Sequence, residues 1–247
     1  MENESMNYRE RVIVALDTDT LRKAKQLVKK LKDSIKIFKV GAELFTACGP
    51  KVVDMVHEAG AQVFLDLKFH DIPNTVAGAA RMAAKMGVFM FNVHISGGLR
   101  MLQEACIASA EEARKNNIAA PKLIGVTVLT SLNQEEMNGE VGIPGTVEET
   151  VLRYATLAQK TGLDGVVASA KEVAAIRAEL GKSFMLVTPG IRPAWSEKQD
   201  QSRIVTPKQA FELGSDYIVV GRPITQAKNP AEAAQKVFEE LPSEISH

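Results

Sequence analysis

The sequence has few cysteines, no charge excess and no long apolar run, and each absence removes a class of protein. Its two cysteines, Cys48 and Cys106, stand alone, without a CxxC pair or a metal-ligand spacing. That is no disulfide scaffold, and with nine methionines it suits a reducing compartment. Thirty Lys and Arg balance thirty Asp and Glu, whereas a nucleic-acid partner would call for a basic excess. No uninterrupted apolar stretch approaches the ~18 residues that span a bilayer. The opening MENESMNYRE has no apolar core of a signal peptide, so a soluble cytoplasmic protein is expected. The first strand-to-helix turn, Asp17-Thr18-Asp19-Thr20, holds no GxGxxG. This removes the nucleotide-binding version of an open doubly wound sheet. Nothing reads as a linker, a repeat or a low-complexity segment, so residues 1–247 are expected to form a single domain.

What is present is a regular beat. Strand-like runs fall at 12–16, 35–40, 62–67, 89–94, 123–129, 165–168, 184–187 and 217–220. Amphipathic stretches lie between them. Leu21, Ala24, Val28 and Leu31 form one helix face, and Val76, Ala79, Ala80, Ala83 and Ala84 form another. Eight such alternations in 247 residues are what a (β/α)8 barrel of the α/β class requires. Two longer polar connections follow the fifth and seventh strands, at 131–146 and 188–206. Both leave the strand C-termini, the face on which barrel enzymes carry their chemistry.

The third strand and its exit, 64–75 (FLDLKFHDIPNT), concentrate the charge. Asp66 and Lys68 are two apart and point to one side of an extended chain. Asp71 is the expected N-cap of the next helix, with Pro73 suited to its first turn. A carboxylate and an ammonium at the mouth of a buried strand are costly unless a site uses them. A structural ion pair is the plain alternative, and the third charge, Asp71, argues against it. Asp17 ends the first strand and Lys39 lies near the end of the second. Thr127 and Thr130 follow the fifth strand, Arg192 the seventh, and Gly221 and Arg222 the eighth. A barrel gathers these ends in one ring. In VVGRPI, Gly221 lets the backbone approach an anion and Arg222 offers a forked donor, a pattern that suits phosphate. Arg192 could close over the same anion, with Gln201 helping. His70, His94, Asp66 and Asp71 could be assembled into a metal site on paper, but Lys68 would stand among the ligands and repel a cation.

DLKFHDIPNT, preceded by VALD and FKVG and followed by TPGIR and VVGRPI, resembles bacterial orotidine 5′-phosphate decarboxylase over essentially the full length. Magnesium-dependent relatives such as hexulose-phosphate synthase share the Asp-x-Lys-x-x-Asp pattern. They carry an acidic residue where this chain has Lys39, so no metal and no cofactor is expected. The resemblance implies decarboxylation of orotidine 5′-monophosphate by a homodimer with shared active sites. Asp17 and Lys39 would contact the ribose. Lys39, Asp66, Lys68 and Asp71 would form an alternating charge array, with Asp71 reaching in from the neighbouring subunit beside Ile72 and Thr75. Thr130, rather than Thr127, would meet the base. Arg192, Gln201, Gly221 and Arg222 would hold the 5′-phosphate. Lys68 would stabilise and protonate the C6 carbanion, for which no electron-sink cofactor site is visible. The alternatives are a magnesium-dependent sugar-phosphate lyase and a non-catalytic barrel that binds a phosphate ligand.

Overall fold

The computed structural model describes residues 7–196 and 205–243. Each strand is followed by one or two helices: β1 (Val12–Ala15), α1 (Leu21–Leu31), β2 (Ile37–Gly41), α2 (Ala42–Cys48), α3 (Lys51–Glu58), β3 (Gln62–Phe69) and α4 (Pro73–Lys85). There follow β4 (Met90–His94), α5 (Gly98–Lys115), β5 (Lys122–Val126), α6 (Val147–Thr161), β6 (Gly165–Val167), α7 (Val173–Leu180) and β7 (Met185–Thr188). The chain continues through α8 (Pro207–Leu213), β8 (Tyr217–Val220), the single turn α9 (Arg222–Thr225) and α10 (Pro230–Glu239). The strands run in order from β1 to β8 as a closed parallel barrel, the (β/α)8 class. No helix among the described residues is long and apolar enough to cross a membrane.

The strand boundaries shift where a polar contact ends the ladder. Ile35 is buried, but its amide donates to Leu31 O of the preceding helix at 2.8 Å, so β2 starts two residues later than the apolar run. β5 ends at Val126, three residues before the apolar run does, and at Thr127 both the backbone N–H (3.4 Å) and the hydroxyl (2.9 Å) donate to Val167 O.

Two compact units share the chain: residues up to Phe64 together with those from Thr188 onward, and Leu65–Val187. In the first, β1 pairs with β2 (Ala15 opposite Lys39) and with β8 (Val14 opposite Val220). Ile13, Leu16, Leu31, Phe38 and Leu44 form its buried interior. In the second, β4 through β7 pair in sequence, with His94 opposite Val126. Leu65, Met90, Phe91, Ile95 and Met101 are buried there. At Gly165 the β6 and β7 backbones approach so closely that a Cβ would collide with the Met185 carbonyl. β1 is buried along its whole length, as expected for parallel strands covered on both faces. Thr146 with Glu149, and Thr206 with Gln209, form capping boxes that start α6 and α8.

Candidate active site

In the second unit the functional groups collect at the end of β3. Asp66 is buried, and its Oδ1 accepts from Lys68 Nζ at 2.7 Å and from Asn92 Nδ2 at 2.7 Å. Asn92 Oδ1 in turn accepts from the Lys68 backbone N–H at 2.8 Å. The Asp66 and Lys68 side chains meet, as their spacing suggests, although Lys68 itself has left the extended conformation. Its φ is 51°, a value shared among described non-glycine residues only by Asn117. For an L-residue the left-handed region costs roughly 1–2 kcal/mol, so something must hold Lys68 there. The Lys68 side chain keeps 37% of its surface exposed and Asp66 only 11%, so the ammonium is reachable while its counter-ion is sheltered.

His70 and His94 stand beside this group, their ring centroids 5.3 Å apart. Burial first, and then the charges of His70 and Lys68, hold His94 below its ordinary pKa, against the pull of Asp66. Among the described residues no cluster of three or more His, Cys, Asp or Glu is arranged to hold a metal ion.

Asp71 sits one residue earlier than a cap. Pro73 opens α4, which makes Ile72 the N-cap, with no side-chain capping bond. Asp71 is exposed, and its Oδ1 accepts the Ile72 amide at 2.6 Å. Ile72 is 66% exposed, a large apolar side chain left in solvent by this unit, and Thr75 is exposed as well. Thr127 is buried with its hydroxyl committed to Val167 O, while Thr130 is exposed. Thr130 lines a cleft of about 460 Å³ with Leu129, Asn133, Gln134, Ser169 and Glu172. The Gln134 carboxamide secures the loop around it, donating to Gly145 O at 2.7 Å and accepting Val147 N at 2.9 Å. Burial pushes the Glu172 carboxyl above its ordinary pKa.

In the first unit Lys39 Nζ lies 3.3 Å from Asp17 Oδ1, the lysine largely sheltered and the aspartate open. Two glycines flank this pair. A Cβ on Gly41 would stand 3.3 Å from Lys39 Nζ, and one on Gly221 would stand 3.6 Å from Asp17 Oδ2. Arg222 is exposed at the start of α9, where Gly221 O accepts from Ile224 N at 2.9 Å. Arg192 is half-buried, and its backbone N–H donates to Val205 O at 3.1 Å. Gln201 lies outside the described residues.

Asn92 escaped the sequence reading. Its signal was available: one amide inside the apolar β4 run MFNVH, at a depth where only 1% of it is exposed. A buried amide needs partners, but the sequence does not say which.

The family model described as orotidine 5′-phosphate decarboxylase / HUMPS family matches residues 10–237. The chain is 50% identical over 237 residues to "Orotidine 5′-phosphate decarboxylase" of Syntrophomonas wolfei, covering 96% of this chain and 99% of that one. It is 52% identical to the protein of the same name from Moorella thermoacetica, covering 96% and 94%. Among solved structures, orotidine 5′-phosphate decarboxylase from Lactobacillus acidophilus superposes with a TM-score of 0.84 at 38% identity, over 95% of this chain and all of that one. An uncharacterized conserved protein from Geobacillus kaustophilus gives a TM-score of 0.82, also at 38% identity, over 94% of this chain and 100% of that one.

Proposed function

The chain belongs to the orotidine 5′-phosphate decarboxylase / HUMPS family, and from that premise we propose how its own side chains carry the reaction. The reaction is the decarboxylation of orotidine 5′-monophosphate to UMP, a carboxy-lyase step of pyrimidine biosynthesis. The bond from C6 to the carboxylate breaks, carbon dioxide leaves, and the electron pair stays on C6, where the ring delocalises it poorly. The observation that carries the assignment is the Lys68 ammonium, reachable from solvent and held 2.7 Å from Asp66. It supplies positive charge to the developing carbanion and then its proton to C6. At ~4 Å and an effective dielectric near 20, one such cation contributes on the order of 4 kcal/mol. That is about three powers of ten in rate. Asp66 holds the ammonium and repels the substrate carboxylate, which adds a ground-state contribution.

Asp17 and Lys39 bind the ribose, a role that suits their pairing beneath two glycines. Thr130 meets the base, supported by the commitment of the Thr127 hydroxyl to Val167. Arg192, Gln201, Gly221 and Arg222 hold the phosphate, whose binding energy aligns the reacting group. Asp71, with Ile72 and Thr75, serves the site of a neighbouring subunit, which makes the active species a homodimer. The exposure of Ile72 supports that reading. Residues 1–247 act as one (β/α)8 domain in the cytoplasm, without metal or cofactor.

Mixing the purified protein with orotidine 5′-monophosphate should convert the substrate's ultraviolet spectrum to that of UMP, equally with and without chelator. Inactivation by chelator and recovery with magnesium would move the chain toward the sugar-phosphate lyases of the family. Tight UMP binding without turnover would make it a non-catalytic binder.

A further inference from the structure

We infer that Asn92 is the positioning residue of the Asp66–Lys68 pair, one carboxamide that fixes both the turned backbone of Lys68 and the aim of the Asp66 carboxylate. The inference rests on the reading of Lys68 as proton donor.

Asn92 is the polar member of the otherwise apolar β4 run MFNV, and it is almost fully buried. Both ends of its amide are in use. The orientation of the amide is forced, because a backbone N–H can only donate: Oδ1 must face Lys68 N, at 2.8 Å. That leaves Nδ2 for Asp66 Oδ1, at 2.7 Å. The same Oδ1 of Asp66 receives Lys68 Nζ at 2.7 Å, so the three residues close a ring of hydrogen bonds. Two properties of Lys68 then have a cause. Its backbone stays left-handed, at φ 51°, because the turned N–H finds a buried acceptor there. Its ammonium keeps one direction because Asp66 is itself held from the other side. No other uncharged side chain of this size combines these two bonds unless it is a protonated carboxyl. Leucine would take the acceptor from the Lys68 N–H and one donor from Asp66, and an ionised aspartate would keep the acceptor but set a second carboxylate against Asp66.

The test uses Asn92→Leu and Asn92→Asp in the full chain, with rates counted per site titrated by UMP so that misfolded protein is not counted. For Asn92→Leu, kcat should fall by roughly a hundredfold, the penalty of an ~1 Å misplacement of a reacting group. UMP affinity should stay near wild type, since the phosphate and ribose contacts are made by other residues. For Asn92→Asp, kcat relative to wild type should rise as the pH is lowered. The introduced carboxyl, once protonated, donates to Asp66 as the amide did. That pH dependence is a readout that loss of packing alone would not produce, and it decides the matter if the leucine variant yields no UMP-binding protein. Per-site rates close to wild type in both variants would overturn the inference, as would a deficit in Asn92→Asp that ignores pH. Lys68→Ala is assayed alongside. If it is inactive while the Asn92 variants are normal, only the positioning role fails. If it is active, the reading of Lys68 fails and the inference falls with it.

Discussion

Replacing Lys68 by alanine and, separately, by glycine distinguishes what its charge does from what its backbone conformation costs. Both variants lose the ammonium that lies 2.7 Å from Asp66. With a contribution on the order of 4 kcal/mol from the charge, turnover should fall by at least about three powers of ten. Loss of the proton donor lowers it further, by roughly two to four more powers. The two variants should differ in stability. At a φ of 51° alanine retains the left-handed penalty and glycine does not. That penalty is roughly 1–2 kcal/mol. Glycine returns about 0.4–1 kcal/mol of it through the greater freedom of its unfolded chain. The glycine variant should therefore be the more stable by about 1 kcal/mol, which in a chain of this size is a melting temperature higher by roughly 2–4 °C. Calorimetry and the absorbance assay measure the two quantities independently. An alanine variant as stable as the glycine one would refute the strained backbone at Lys68. A tenth of wild-type turnover in either would refute its role as proton donor.

Arg222→Ala should weaken UMP binding strongly and uridine binding hardly at all, as titrations of both ligands would show; equal losses would place Arg222 outside the phosphate site. If Asp71 acts in the neighbouring subunit, exchanging subunits between inactive Lys68→Ala and Asp71→Ala proteins should restore about a quarter of the sites. Demonstrated exchange without recovered activity would exclude the shared site. His94 is held below its ordinary value of 6.5, so near that pH the folded chain binds fewer protons there than the unfolded one. Its contribution to stability is complete above pH 6.5 and is lost as the pH falls through the folded value. Melting temperatures should accordingly drop on acidification less in His94→Gln than in wild type.

Position along the chain was legible wherever one local pattern decides it. The alternation of apolar strands with helix faces depends on residues within a turn or two of each other. These helices bury Ala24, Val28, Leu31, Val76, Ala80, Ala83 and Ala84 as expected, while Leu21 and Ala79 are only half-buried and Ala77 is buried instead. Asp66 and Lys68 were conspicuous because charges at the end of a buried strand need a reason. Boundaries failed where a competing bond, such as Ile35 to Leu31, ended the pattern early. The cap moved from Asp71 to Ile72 because Pro73, which suits the first turn, set the start of α4.

From the sequence alone came the (β/α)8 class and the group of charged residues at the strand ends, since periodicity and composition report burial. Only the tertiary structure decided which partners those residues have. Asn92 bonds residues 24 and 26 positions away on the neighbouring strand in sequence, and the Thr127 hydroxyl is spent on a carbonyl 40 positions on. Those bonds depend on strand register and on the turned backbone at Lys68. A local pattern records that a side chain is buried, but not which distant group it meets there.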